Sequence, residues 1–485
     1  MASASNWQRS TVRLAAVAIT AILIWFGSGL EPLWPLLWFA PLPILLVALY
    51  GSASAAAWSA ASAWLLGSLN LWHYLHNVLS APSAVLAGIF LGPALVFAAA
   101  VLVFRALAQR GHFGFSMLSI PAMWVSMEYA VNLSSPHGTA ISLSYSQLKF
   151  LPVLQLASVT GPWGISFVLL LFSSSIAIGF FLWRKDRPQA LRILTAGVGA
   201  IVLVLAFGTV RLLLPVGGTE VRVGLIASDE PRNVHVADDG APTTRLLSDY
   251  GVEVERLAAQ GAKVIVLPEK LGVLVEPEAS STDSLLQDLA DKTRTTIVVG
   301  LIDVAPPLKF NQARIYSPAA PLLTYAKHHL LPPFESNLNP GKTLALLPQP
   351  AATWGVAICK DMDFTPLSRQ YGAAGIGLML VPAWDFDLDR TWHGHIALMR
   401  GVESGFSIAR AAKRGYLTVS DNRGRVVAES RSDSGPFVTL LADVPQMHAA
   451  TFYILAGDWF AYVAFALLAA ALIQLWRTRG LLNNN

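Results

Sequence analysis

Of 485 residues only one, Cys359, is a cysteine. A single sulfur closes no internal disulfide, so Cys359 is either buried filler or a reagent. Charge is scarce as well. Only 13% of residues are charged and 54% are hydrophobic, whereas an ordinary soluble domain is about one quarter charged. That balance excludes a wholly water-soluble chain and implies a membrane protein. Several signatures of other chemistries are missing. No Gly-x-Ser-x-Gly occurs, which argues against a serine hydrolase of that type. No His-Glu-x-x-His occurs, and His393 and His395, two residues apart, make a poor metal pair on a helix. Asn339-Pro340-Gly341-Lys342-Thr343 ends like a phosphate-binding loop, but Ser336 stands where its first glycine is required. Neither a metal nor a cofactor is implied.

Acidic residues are missing from whole regions, and this divides the chain. Of thirty Asp and Glu, only Glu31, Glu128 and Asp186 precede residue 216, and only Asp458 follows residue 446. The pattern predicts three parts: a transmembrane domain over 1–215, a water-soluble domain over 216–446, and a final span with a short tail over 447–485. A spanning helix needs about 20 largely apolar residues. Such runs lie at 11–30, 34–50, 53–75, 84–108, 115–132, 163–184, 191–215 and 450–476, giving eight predicted spans. Glu128 lies inside the fifth, where an ionisable residue is costly and takes a structural or lipid-headgroup role. Basic residues cluster in alternate connections: Arg9 and Arg13; Arg105 and Arg110; Arg184, Lys185, Arg187 and Arg192; Arg477 and Arg479. The intervening connections carry only Lys149. The positive-inside rule then places both termini in the cytoplasm and 216–446 on the opposite, periplasmic face of a bacterial inner membrane. These flanks carry much of the +4 net charge, so no nucleic-acid partner is needed to explain it.

Within 216–446, apolar strands alternate with helices: Val221–Ala227, a helix through Leu246–Leu257, Val264–Leu267, a helix at Ser284–Leu289, and Thr296–Leu301. A meander follows through Asn311–Lys327. Then come Trp354–Ile358, a helix near Pro366–Tyr371, Gly377–Pro382, and a helix through Ile396–Arg410. Near-continuous β-branched runs predict sheets covered on both faces, with largely parallel strands. Three reactive groups fall just beyond strand ends, where α/β proteins place their chemistry. Glu269 follows Val264–Pro268, Lys327 follows Leu322–Ala326, and Cys359 follows Gly355–Ile358. A carboxylate that takes a thiol proton and an ammonium that stabilises thiolate and oxyanion complete a set for acyl transfer.

With these residues in place, the soluble part resembles the nitrilase superfamily, whose Glu-Lys-Cys triad is spread over a four-layer αββα sandwich. The seven-plus-one arrangement of spans resembles, within that superfamily, the apolipoprotein N-acyltransferases. The membrane part agrees: Trp124–Glu128 resembles the family's Trp-x-x-x-Glu helix, and Ser144–Gln147 followed by Leu154–Phe167 resembles its signature loop and next helix. The likeness implies Glu269 as general base, Lys327 as oxyanion stabiliser and Cys359 as nucleophile. It further implies supporting or substrate-binding roles for Glu335, Asp361, Asn311, Trp384, Arg400, Glu403 and Glu128.

The chain departs from the family at several points. Cys359-Lys360-Asp361 stands where Cys-Tyr-Glu is usual, and Pro333-Phe334-Glu335 where Pro-Phe-Gly-Glu is. Pro382-Ala383 replaces an Asn-Asp pair, Ala227–Glu230 stands where a Gln-Gly-Asn stretch is usual, and Lys413-Arg414-Gly415 replaces Asn-Thr-Gly. The resemblance implies a ping-pong transfer from a phospholipid donor, through a Cys359 thioester, to the N-terminal amine of a diacylated lipoprotein. Two alternatives stay open: a membrane-anchored amidase or an acyltransferase with another amine acceptor, and a non-enzymatic lipid-binding or transport subunit.

Overall fold

A computed structural model describes residues 6–234 and 240–482, which divide into two compact units. The first comprises residues up to Leu133, Ile141–Arg211 and the chain from Asp458 onward. Among the described residues, five helices are long and apolar enough to cross a membrane: Ser10–Gly27, Ser83–Gln109, Pro162–Leu182, Arg187–Leu213 and Trp459–Thr478. Three predicted spans do not reach that measure. The run at 34–50 divides into Trp34–Phe39 and Leu42–Tyr50 around Pro41. Ala53–Ser68 is a 16-residue helix, followed by short 3₁₀ and π turns. Phe113–Ser134 is long enough, but Ser116, Ser119, Ser126 and Glu128 dilute its apolar character.

The second unit comprises Leu212–Gly457 together with Ser134–Ala140. This last segment was expected to belong with the membrane part. Among its described residues, thirteen strands form two mixed sheets. They are β1 (Glu220–Ala227), β2 (Val264–Val266), β3 (Val273–Leu274), β4 (Thr296–Ala305), β5 (Leu308–Tyr316), β6 (Leu323–Ala326), β7 (Ala345–Pro348), β8 (Thr353–Val356), β9 (Ile376–Trp384), β10 (Ser407–Lys413), β11 (Tyr416–Ser420), β12 (Val426–Arg431) and β13 (Val438–Pro445). One sheet runs β13-β1-β2-β4-β5-β6, with β3 beside β4, and the other runs β12-β11-β10-β9-β8-β7.

Each sheet has a parallel centre, β1-β2-β4 and β8-β9-β10 respectively, flanked by antiparallel strands. The expected largely parallel arrangement therefore holds only for the centres. Apart from β13, which returns to β1 from the far end of the unit, the outer strands are joined to their neighbours by connections too short for a crossover, and a short connection forces an antiparallel return. The meander at Asn311–Lys327 is correspondingly the β5-β6 hairpin.

The period-two alternation of the central strands builds two cores. Val223, Leu225, Val266 and Val298 face inward against Val356, Leu380 and Ile408 of the other sheet. Ile226, Ile265, Ile297 and Val299 face outward under Leu247, Tyr250, Val254 and Leu286. Those last four lie on the helices Gly240–Ala259 and Glu278–Thr293. Thr365–Ala373 and Trp392–Ser404 accompany the second sheet. The layers are helix, sheet, sheet, helix. One helix was placed wrongly from sequence: the expected segment Ile396–Arg410 is helical only to Ser404. Gly405 then takes φ +73°, and β10 begins at Ser407. The left-handed residue ends the helix, and Phe406–Ala412 buries completely as a central strand.

Candidate active site

The parallel strands bring their C-terminal ends to one edge of the sandwich. Glu269 follows β2, Cys359 follows β8, Trp384 ends β9 and Lys413 ends β10. The two sheets touch there directly, since the Glu269 amide donates to the Ala383 carbonyl at 3.2 Å. The next carbonyl, of Trp384, accepts from Cys359 Sγ at 3.5 Å. Close approach needs a glycine: a Cβ at Gly300 of β4 would lie 2.5 Å from Glu269 Cα and 2.8 Å from the Pro268 carbonyl oxygen.

Lys327 and Glu269 are each 2% exposed. Lys327 Nζ lies 2.8 Å from Glu269 Oε1 and 3.0 Å from Glu335 Oε2. Asn311 on β5 ties the two carboxylates together, its Nδ2 donating to Glu269 Oε1 at 2.5 Å and Glu335 Oε1 at 2.7 Å. The Lys327 amide donates to the Asn311 carbonyl at 2.8 Å, which sets their spacing. Glu335 also accepts from the Leu331 amide at 2.7 Å and pairs with Lys270.

Burial acts to lower the Lys327 pKa, but Glu269 and Glu335 outweigh it and hold the ammonium well above its usual range. Burial likewise raises Glu335, yet Lys327 and Lys270 bring it down to about 2. The Cys359 thiol moves the other way. Burial and the Glu269 charge raise it, against weaker opposition from Lys327 and Arg410. The resting state is therefore a protonated thiol beside a fixed ammonium and carboxylate. Any attack by this sulfur would require that proton to leave.

Cys359 takes φ +42° at the start of the 3₁₀ turn Cys359–Asp363. A non-glycine residue there costs of order 1–3 kcal/mol and persists only where surroundings enforce it. Asp361 supplies much of that enforcement. Its buried carboxylate accepts from the Ile358, His328 and His329 amides at 3.1, 3.1 and 2.9 Å, and from the Tyr325 hydroxyl at 2.7 Å. One side chain thus fastens the turn that carries Cys359 to the loop that carries Lys327. His329 completes the clamp, with Nδ1 3.1 Å from Asp361 and its ring stacked on Phe364 at 3.6 Å.

The structure thus gathers Glu269, Lys327, Cys359, Glu335, Asn311, Asp361 and Trp384 into one locus. Arg400 and Glu403 are fully buried and pair with each other at 2.8 Å, and Arg400 reaches Thr139 at 3.5 Å. The Glu403 carbonyl also accepts from Thr451 Oγ1 at 2.5 Å. Glu128 lies in the first unit, where it accepts from Trp124 Nε1 at 2.9 Å, the Leu143 amide at 2.7 Å and Ser142 Oγ at 3.1 Å. That arrangement fits the structural one of its two expected roles.

Sequence reasoning missed several neighbours. Arg410 on β10 makes a buried bidentate pair with Asp385, at 2.9 and 2.5 Å, and its charge reaches the thiol. Lys413 lies over the Trp384 ring at 3.7 Å and donates to the Lys270 carbonyl at 2.9 Å. Burial lowers its pKa to about 7. Lys413 was visible as a departure from the family pattern, whereas Arg410 sat inside the segment read as helix. Among the described residues no cluster of three or more His, Cys, Asp or Glu could hold a metal.

Two family models lie end to end on the chain: the apolipoprotein N-acyltransferase N-terminal domain over residues 20–175 and carbon-nitrogen hydrolase over residues 234–450. An apolipoprotein N-acyltransferase of Geobacter metallireducens is 28% identical, over 76% of each chain. One of Vibrio vulnificus is 23% identical over 96% of this chain and 95% of its own. An omega-amidase of Danio rerio is 30% identical over 40% of this chain and 83% of its own. Among solved structures, a mutant of an amidase from Nesterenkonia has a TM-score of 0.43 at 21% identity, covering 52% of this chain and 98% of that one. With an acyltransferase N-terminal domain joined to a hydrolase-type domain, and relatives of that composition matched along most of its length, the chain belongs to the apolipoprotein N-acyltransferase family of the carbon-nitrogen hydrolase superfamily.

Proposed function

We propose that the protein moves an acyl chain from a membrane phospholipid, through a Cys359 thioester, to the N-terminal α-amine of a diacylglyceryl-cysteine lipoprotein. Glu269 takes the thiol proton as the sulfur attacks the ester carbonyl. The Lys327 ammonium stabilises the tetrahedral oxyanion. Collapse breaks the ester C–O bond, and the proton held by Glu269 goes to the departing lysophospholipid oxygen. The free amine then attacks the thioester, Glu269 removes its proton, and the C–S bond breaks. An amide forms and the thiol is regenerated, with the proton returned to sulfur. Glu335, Asn311 and Asp361 hold these groups in place, and Trp384 lines the thiol's side of the site.

One observation carries the reading: the ammonium of Lys327, fixed between two carboxylates, lies in one buried locus with a thiol that has no other evident purpose. The membrane setting adds a physical reason. Both substrates reside in the bilayer, and drawing an acyl chain into water costs about 0.8 kcal/mol per CH₂. Five long apolar helices keep the enzyme where its substrates are. The proposed location is the bacterial inner membrane, with the second unit on the periplasmic side.

Hydrolysis is the rival outcome, favoured by the likeness to an omega-amidase. Water instead of an amine would then resolve the thioester. Product analysis separates the two. Full-length protein in phospholipid vesicles with a diacylated lipopeptide is expected to yield N-acylated lipopeptide and lysophospholipid. Free fatty acid with an unchanged lipopeptide would establish the hydrolase instead, and full labelling of Cys359→Ala by phospholipid would refute this nucleophile.

A further inference from the structure

Lys360, immediately after the nucleophile, is 3% exposed. A buried ammonium needs acceptors. Lys360 Nζ lies 3.1 Å from His137 Nδ1, 3.8 Å from Asp363 Oδ2 and 5.3 Å from the centre of the Phe364 ring. His137 belongs to the segment Ser134–Ala140, far away in sequence but packed within the second unit. The next residues of that segment grip the same turn. Thr139 donates to the Asp363 carbonyl through its amide at 3.1 Å and through Oγ1 at 2.9 Å. Gly138 has φ +53°, and a Cβ there would lie 2.5 Å from the Asp363 carbonyl oxygen. The Ser135 hydroxyl accepts from the His137 amide at 3.1 Å, which orients the segment.

We infer that Lys360 and His137 are a positioning pair: segment 134–140 acts as a strap that holds the nucleophile's turn on the side opposite the Asp361 clamp. The turn carries Cys359 at a positive φ, a conformation that neighbours must enforce. Asp361 ties it to the Lys327 loop, and Lys360 with Asp363 ties it to the strap. This pairing gives a reason for the departure at position 360: the lysine there comes with an imidazole lone pair to receive it. The contact requires His137 neutral. Burial and the adjacent Lys360 charge lower its pKa to about 4, against a smaller raising effect from Asp363. The charged groups around the pair are Asp363 on the turn and His393 on the helix Trp392–Ser404, with Lys327 and Glu335 beyond them.

The inference rests on Cys359 as the acyl-accepting nucleophile, so the experiment has two readouts on full-length protein. One is the single-turnover rate of Cys359 acylation by alkyne-labelled phosphatidylethanolamine. The other is the rate of Cys359 alkylation by iodoacetamide, which needs no phospholipid chemistry. A displacement near 1 Å costs roughly 100-fold in rate. His137→Phe and Lys360→Met are each expected to slow acylation about 10- to 100-fold at an unchanged half-saturating donor concentration, and to slow alkylation as well. His137→Asn, whose amide oxygen replaces the Nδ1 acceptor, is expected to recover to within about 3-fold of wild type. The double variant should be no slower than either single one. Rates within 2-fold of wild type for both single variants, multiplicative losses in the double variant, or a His137→Asn as slow as His137→Phe would overturn the strap. A wild-type protein with no adduct on Cys359 would instead remove the functional reading, while the alkylation series would still decide for or against the strap.

Discussion

The site's electrostatics depend on two carboxylates sharing one buried ammonium. Glu335 is the less exposed of the pair and is held ionised by Lys327 and Lys270, so removing its charge leaves both ammonium groups short of a partner. Glu335→Gln is expected to lower single-turnover acylation about 100-fold, the scale of a displaced catalytic group, with donor affinity little changed. Asn311→Leu should approach the same loss, because it removes both bridging hydrogen bonds. Rapid-quench labelling checks both, and a normal rate in either variant would place its partner outside the working machinery. Glu269, Lys327 and Cys359 were legible in the sequence because each follows an apolar strand. Lys270, Arg410 and His137 were not. Their relevance lies in what folding puts opposite them, and no local pattern marks that.

Strands and helices position these groups through close backbone contacts and buried charges. Gly300 lets β4 pass beneath Glu269, so Gly300→Ala forces the backbone apart. A loss of about 1–3 kcal/mol is expected, as for other overpacked sites, together with slower acylation. Denaturant titration and labelling would measure both. The helix Trp392–Ser404 is tied down by His393, which lies 3.2 Å from Asp389 and 3.4 Å from Asp363. Burial lowers the imidazole pKa, but the two aspartates outweigh it and raise it to about 10. Between pH 6.5 and about 10 the folded state binds the extra proton and the unfolded chain does not. This contribution is therefore complete below 6.5 and lost as pH rises through about 10. His393→Gln should cost about 3–5 kcal/mol at pH 6, as breaking a buried pair does. The gap to wild type should narrow by pH 10, and a gap independent of pH would contradict this account. The two-residue His spacing argued against a helical metal pair, but the aspartates that hold His393 become its neighbours only in the fold.

For the whole molecule, the proposed function carries a definite topology. Basic residues flanking the apolar runs favour one face for Arg105, Lys185 and Arg477, with the second unit on the other. In a Cys359→Ala background, a cysteine placed at exposed Ser434 is expected to react with a membrane-impermeant maleimide in intact cells whose outer membrane has been permeabilised. One placed at exposed Lys185 should react only after lysis. The reverse pattern would invert the orientation.

Composition alone implied a membrane protein with a more polar stretch over 216–446, because the apolar runs and the placement of carboxylates follow from counts and order. Strand periodicity determined the α/β class, since alternate residues must face different layers. Tertiary structure decided the rest: that the sheets are parallel only at their centres, that Arg410 lies on a strand, and that residues 134–140 pack with the second unit. It also set the ionisation of Lys327 and Cys359. Charge–charge energies depend on separation and burial, which are properties of convergence in space and have no counterpart along a linear sequence.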